Sequence, residues 1–524
     1  MRLTLPHPGS LVALAIAALV IGGFSALLMI DGEKPSLLAI GPYLTRVLIF
    51  STTQAALSTL LSILLGVPLA FALARRRFIG REFVLSALGA VMVTPTIVTV
   101  FAVLAVYGRS GWLASLLKAL GFSGDFSIFG YPGILIAHVF LNAPFIARLT
   151  LDALDTVPAE QWRLAQSLGF SPRQIFRHLD WPVLHAELPG AAVLLFLVHF
   201  KSFAIVLALG GGPSRATLEV AIYEALHVDL DFGRAAWLAL IQVAICLALT
   251  LTVNRLWTRP PVSHTLRSTI LRPDAADRRL YILDIGILSA SLLLIAPPFL
   301  SLLAGLSHVA SVLDADFAKA LVTSVVIAGL AACIACILSL ALASAARRLR
   351  LEMRLPRAAE IYDLLPNVLL AIPPFALTAG LFLIVRPFIE PSSAGLILLP
   401  LMNGLAAVPF IYRFFGPKLM TAGERYGRLS ASLGLRGFWK LRIMDWPILR
   451  RPLGAGFAIA MALSFGDFGI IALFGGPELR TLPYLLYERL GVYRLDEAAA
   501  IGLLIVIVSF ALAYLSGRLS NAAD

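Results

Sequence analysis

Two ionisable side chains stand in strongly apolar surroundings. Lys201 lies in LFLVHFKSFAIVLAL (195–209) and Asp467 in AMALSFGDFGIIALF (460–474). An ion placed in hydrocarbon is costly, and such residues are generally paired or functional. The chemistry on offer is electrostatic: a latch or tie if the two meet, or separate solvation in a water-lined vestibule. His199, a lone histidine beside Lys201, reads as a packed or solvated side chain.

Other chemistry is sparse. GGGPSRAT (210–217) has the glycines of a phosphate-binding loop but not its Gly-Lys-Ser/Thr ending. It reads better as a helix end and turn, as does Gly-Gly-Pro at 475–477. Cys333-x-x-Cys336 has metal-ligand spacing but no companion pair or histidine cluster, so these cysteines and Cys246 read as small apolar fillers. There are no paired aspartates in the apolar stretches, no His-Glu-x-x-His and no convincing serine–histidine arrangement. An intramembrane enzyme is disfavoured, and no catalytic or metal-binding residue is expected.

The elements that carry these residues are membrane spans. Of 524 residues 59% are hydrophobic and only 14% charged, and the mean hydropathy is +0.89. Runs long enough to cross a hydrocarbon layer of about 30 Å recur. They predict twelve spans, near 11–30, 47–74, 83–107, 132–150, 187–210, 234–254, 281–306, 318–345, 365–385, 394–413, 452–474 and 496–517. The first is long for a cleaved leader and only Arg2 precedes it as a basic residue, so it reads as a retained span, with cleavage the alternative. The net charge of +12 follows topology rather than nucleic-acid binding. Arginines gather in alternate loops, at 75–81, 148–177, 255–279, 347–357 and 413–451, which predicts both termini in the cytoplasm.

The chain repeats itself. RLAQSLG (163–169) recurs as RLSASLG (428–434), LDWP (179–182) as MDWP (444–447), and Pro144, Phe145, Ile146 and Arg148 as Pro409, Phe410, Ile411 and Arg413. All share a displacement of 265 residues, as do Phe203 and Phe468. After one inserted glycine, Thr217, Leu218, Tyr223 and Glu224 match Thr481, Leu482, Tyr487 and Glu488. Polar and turn residues held in register over some eighty positions are not a chance of apolar composition. The reading is two homologous six-span halves: residues 1–254, a basic linker at 255–280, and residues 281–524. An even span count makes the repeats parallel, with a pathway expected at their interface.

The longest cytoplasmic loop of each half, 155–185 and 415–450, holds a short helix, a glycine and a Trp-Pro. These loops resemble the EAA loop of ABC-importer permeases, with Gly169 and Gly434 as the key glycines, Pro182 and Pro447 as the distal prolines, and Ala165 and Ser430 at the small positions. Arg163 and Arg428 stand where the family has glutamate, so a salt contact expected from that residue is in doubt. The stretches at 200–226 and 463–494 are similar to those of thiamine/thiamine pyrophosphate ABC transporter permeases, over nearly the whole chain.

That resemblance implies an all-α membrane protein of the type I ABC importer permease kind, in the cell inner membrane. It implies no cofactor on this chain, ATP and magnesium on a separate ATPase present in two copies, and a periplasmic substrate-binding protein as the other partner. Lipid surrounds it and nucleic acid has no part. Fused ferric-iron or other small-solute permeases share the layout. An ion-coupled secondary transporter would also suit two parallel six-span repeats, but would leave the repeated loop helix unexplained. Trp112, Tyr223, Tyr487 and Tyr493 could contact a cationic ring or serve as belt anchors at the interface.

Overall fold

The computed structural model describes residues 8–30, 37–121, 127–212, 215–256, 272–435 and 437–521. Arg2, Pro213 and linker residues 257–271 lie outside the described residues. The first half contains α1 (Pro8–Ile30), α2 (Leu37–Arg75), α3 (Arg81–Met92), α4 (Thr96–Tyr107), α5 (Trp112–Ala119), α6 (Tyr131–Leu154), α7 (Ala159–Ser167), α8 (Pro172–Ile175), α9 (Trp181–Phe200), α10 (Ala204–Leu209), α11 (Leu218–His227) and α12 (Phe232–Leu256). The second contains α13 (Arg278–Leu303), α14 (Val309–Val312), α15 (Ala315–Arg347), α16 (Pro356–Ala371), α17 (Pro374–Val385), α18 (Pro391–Ser432), α19 (Gly437–Lys440), α20 (Trp446–Phe465), α21 (Ile471–Phe474), α22 (Leu482–Gly491) and α23 (Leu495–Asn521). No strand occurs among the described residues. A lipid-embedded backbone must satisfy its own polar groups, and helices do so within each segment. Eleven helices are long and apolar enough to cross a membrane, or twelve if the bent pair α16–α17 counts as one.

The spans expected at 83–107 and 365–385 are not single helices. α3 stops at Met92 and α4 resumes at Thr96, while α16 and α17 meet at an angle of 92°. Pro95 and Pro373 stand at these breaks, where a missing N–H and a fixed φ interrupt the helical ladder. The fifth span of each half is also interrupted, between Phe200 and Ala204 and between Phe465 and Ile471. The span expected at 394–413 runs further, because α18 continues for 42 residues into the second loop. At 1.5 Å per residue it is about 63 Å long, roughly twice the hydrocarbon thickness.

Matching polar contacts fix the register of the repeat. Ser51 Oγ accepts from the amide of Leu218 at 3.0 Å, as Ser324 Oγ accepts from Leu482 at 2.8 Å. These align α2 with α15 at a displacement of 273. Gly66 then corresponds to Ser339: the backbone at Gly66 crowds the Ala143 carbonyl, and Ser339 Oγ bonds the equivalent Val408 carbonyl at 3.4 Å.

The halves interlock. α1 packs against α15 and α17 of the second half, and α13 against α2 and α4 of the first. Where α1 crosses α17, Gly23 and Gly380 bring the backbones together so closely that a Cβ on Gly380 would stand 2.0 Å from the Gly23 carbonyl oxygen. In lipid, where apolar burial gives helices little reason to associate, such small-residue crossings supply the packing.

Candidate coupling loops and translocation pathway

Each loop is a helix closed by a left-handed glycine. Gly169 has φ +65° and Gly434 φ +66°, a region where a Cβ is strained. The reversal lets Phe170 N donate to Ala165 O and Leu435 N to Ser430 O, both at 2.9 Å, which satisfies carbonyls at the helix ends. Ala165 and Ser430 are buried beneath their helices, so small side chains fit there. Arg163 and Arg428 are exposed. Beyond each glycine, a π-helical turn, Phe176–Asp180 or Leu441–Asp445, leads into a helix with Pro182 or Pro447 as its second residue.

The two loops expose matching apolar side chains. Leu164 is 58% exposed and Leu429 57%, Leu168 60% and Leu433 64%, Trp181 50% and Trp446 52%. A chance lipid- or water-facing residue would not recur in three matched pairs, and grouped exposed apolar residues mark interaction surfaces.

The conserved geometry hides different anchors. Asp445 is gripped by Arg347, at the end of α15, through two hydrogen bonds of 2.6 and 2.9 Å. Its counterpart Asp180 is gripped by Arg272, from the segment between the halves, at 3.0 and 2.8 Å. Burial works against the Arg272 charge, but the hydrogen bonds it donates to Asp180 and Asp274 outweigh it and raise its pKa above the ordinary arginine range. Bidentate pairing of this kind is what a planar guanidinium supplies and a lysine does not.

Between the halves lies a cavity of about 910 Å³. α9 lines it with residues from Ala186 to Leu197, and the second half contributes Arg347, Arg350, Asp363, Leu370 and Tyr412. Asp363 joins the cavity wall together, accepting from Arg350 at 2.7 Å and from Tyr412 at 2.5 Å. Glu187 adds a second carboxylate. Followed along α9, the cavity begins near the loop and ends just before Lys201.

There the cavity ends. Lys201 donates to the carbonyl oxygen of Leu370, in the last turn of α16. Immediately beyond, aromatic rings from both halves close on one another. Phe203 lies 4.2 Å from Phe375, 5.1 Å from Tyr223 and 6.1 Å from its repeat partner Phe468, ring centre to ring centre. Phe468 in turn meets Tyr487 at 4.7 Å. Tyr223 and Tyr487 thus belong to this plug, whereas Trp112 and Tyr493 are more exposed, at 46% and 87%.

Lys201 and Asp467 do not pair in this structure. Asp467 accepts from its own chain, from Gly469 N and Ile470 N at 3.2 Å each. Sequence reading missed another acidic side chain within the apolar region, Glu219. Glu219 is buried, takes one hydrogen bond from Gln242 at 2.9 Å and leaves its second oxygen without a partner. A signal was present: Lys201 becomes Gly466 and Glu219 becomes Pro483 in the second half, so both charges change together. His199 is also no isolated side chain. It stacks on His138 at 4.4 Å and bonds Thr59 and Asn142, each at 3.0 Å.

Residues 62–259 match the family model of the binding-protein-dependent transport system inner membrane component. The thiamine transport system permease protein of Brucella melitensis is 39% identical over 97% of this chain and 92% of its own length. That of Escherichia coli is 39% identical over 90% and 88%, and that of Haemophilus influenzae 34% over 97% and 95%. This chain belongs to the family of these fused binding-protein-dependent permease proteins. It is a multi-pass inner-membrane translocation subunit of an ABC importer, working with an ATPase and a substrate-binding protein, and ATP is hydrolysed on the separate subunit. Family membership removes the ion-coupled carrier reading.

Proposed function

We propose that this chain forms the pathway by which thiamine or thiamine pyrophosphate enters the cell. Two copies of an ATPase, which hold ATP and magnesium, dock on the loops at Gly169 and Gly434. The loaded binding protein docks on the opposite face, and both termini lie in the cytoplasm. The observation that carries this reading is the matched exposure of Leu164, Leu168 and Trp181 with Leu429, Leu433 and Trp446. The names of the relatives support the cargo. The cavity on the loop side and the aromatic plug beyond Lys201 then correspond to an inward-facing state.

Transport follows by alternating access. Nucleotide moves the pore only as far as its contacts differ between the two states. Inverting a 1:99 population needs about 5.5 kcal/mol, which suits two docking surfaces better than one contact. The test is reconstitution in proteoliposomes with ATPase and binding protein. Thiamine uptake requiring all three components and ATP is the expected result. Absence of thiamine uptake with ferric iron or another solute accumulating instead would refute the cargo.

A further inference from the structure

The contact between Arg272 and Asp180 is the start of a buried chain of charges that crosses from one half to the other. Arg272 also bonds Asp274 through Nε and Nη2, both at 3.0 Å. Arg75, at the end of α2, lies 3.7 Å from Asp274 and bonds Asp284 of α13 at 2.6 and 3.0 Å. Arg76 completes it, bonding Asp284 at 2.7 Å and the Ala275 carbonyl at 2.6 Å. Three arginines thus alternate with three aspartates. Arg272 also sits over the Trp162 ring of α7 at 4.6 Å, so it touches the loop helix itself.

Among the described residues, the second half does without this arrangement. Its Asp445 is held by Arg347 of its own α15. In the register set by Ser51 and Ser324, the residue matching Arg347 is Ala74. Ala74 and Arg272 line one small cavity beside Trp162, so the short side chain leaves the space that Arg272 enters from outside the helix. The first loop is therefore anchored from the start of α13. α13 packs against α2 and α4 on one side and α23 of the second half on another.

We propose that Arg272 is a positioning residue that couples the two halves: it fastens the first ATPase-docking loop directly to α13, a helix of the other half, so that movement of that loop is delivered to both halves, while the second loop is fastened to α15 of its own half and reaches the first only through the packing of α15 on α1. The two docking sites are then mechanically unequal. Buried ion pairs often add little net stability against apolar packing, but removing one partner is strongly destabilising, so each member of the chain is held to the next, which is what a linkage needs. This inference rests on the coupling role proposed above for the loops, not on the cargo.

The test uses the complete importer in proteoliposomes, with a cysteine at position 203 of a variant lacking the three native cysteines. ATP-driven opening is read as labelling from the side opposite the ATPase, and coupling as the ratio of ATP hydrolysis with and without loaded binding protein. Arg272→Ala is expected to lower both at least tenfold. The deciding variant is Ala74→Arg with Arg272→Ala, which rebuilds the second half's clamp on Asp180 without the link to α13. Recovery of the wild-type melting temperature without recovery of opening supports the linkage. Recovery of both, or wild-type opening in Arg272→Ala, overturns it. If the double variant stays unstable, Arg272→Lys at wild-type melting temperature decides: reduced opening supports the proposal and unchanged opening refutes it. Should the cargo not be thiamine, uptake fails while ATP-driven opening and its dependence on Arg272 remain measurable.

Discussion

Lys201 reaches across the interface to the carbonyl of Leu370, and so ties the fifth span of the first half to the broken third span of the second. The acceptor is well chosen. Carbonyls in the last turn of a helix lack an intrahelical donor and carry the negative end of its dipole. The mirror contact is apolar: Gly466, in the position of Lys201, lies against Pro95 at the other break, where a Cβ would come within 2.6 Å of the ring.

Lys201→Met removes a hydrogen bond from a charged donor, a loss of about 1.5–3 kcal/mol. The closed population should fall roughly ten- to hundredfold relative to the open one. Faster thiol labelling of a cysteine at position 468 from the binding-protein side checks this. Unchanged labelling with unchanged uptake would remove the tie.

Glu219→Leu removes the acceptor of the buried Gln242 hydrogen bond at 2.9 Å, and a buried polar group left unpaired costs about 1–3 kcal/mol. The single variant should express poorly or melt early. Gln242→Leu combined with Glu219→Leu should regain part of that loss, a non-additivity visible in a double-mutant cycle of melting temperatures.

Gly466→Ala should hold the plug ajar, because its methyl group would press on Pro95. Overpacking costs about 1–3 kcal/mol. Gly380→Ala meets backbone rather than a ring, and should displace α1 and lower the melting temperature more than Gly466→Ala does.

Leu168→Glu and Leu433→Glu place charge on the two exposed loop patches without touching the membrane. Each should cut co-purification of the ATPase by at least tenfold in detergent, and the pair should abolish it. Retention of the ATPase by the double variant would show that docking lies elsewhere.

Gly169 and Gly434 were legible in the sequence because a helix end, a turn residue and a Trp-Pro recur together, and no other residue fits their backbone as well. The breaks were written there too, in Pro95 and Pro373, but apolar runs on either side masked them. Lys201 and Asp467 were found by depth alone. Depth says nothing of direction, and one carboxylate turned back to its own backbone. Glu219 sits eighteen residues from Lys201, outside the apolar run that carries it. Arg272 looked like one more topological arginine, since nothing in the linker's composition tells a solvated charge from a buried one.

The unequal pair at positions 201 and 466 also bears on why this pore is one polypeptide. Two identical subunits would carry the ammonium group twice, and both would converge on the same closing plug, where repulsion would pry it apart. In a single chain, one half carries Lys201 and Glu219 while the other carries glycine and proline in their places. The ribosome then delivers the mismatched partners in equal numbers every time, and a like-with-like assembly never forms.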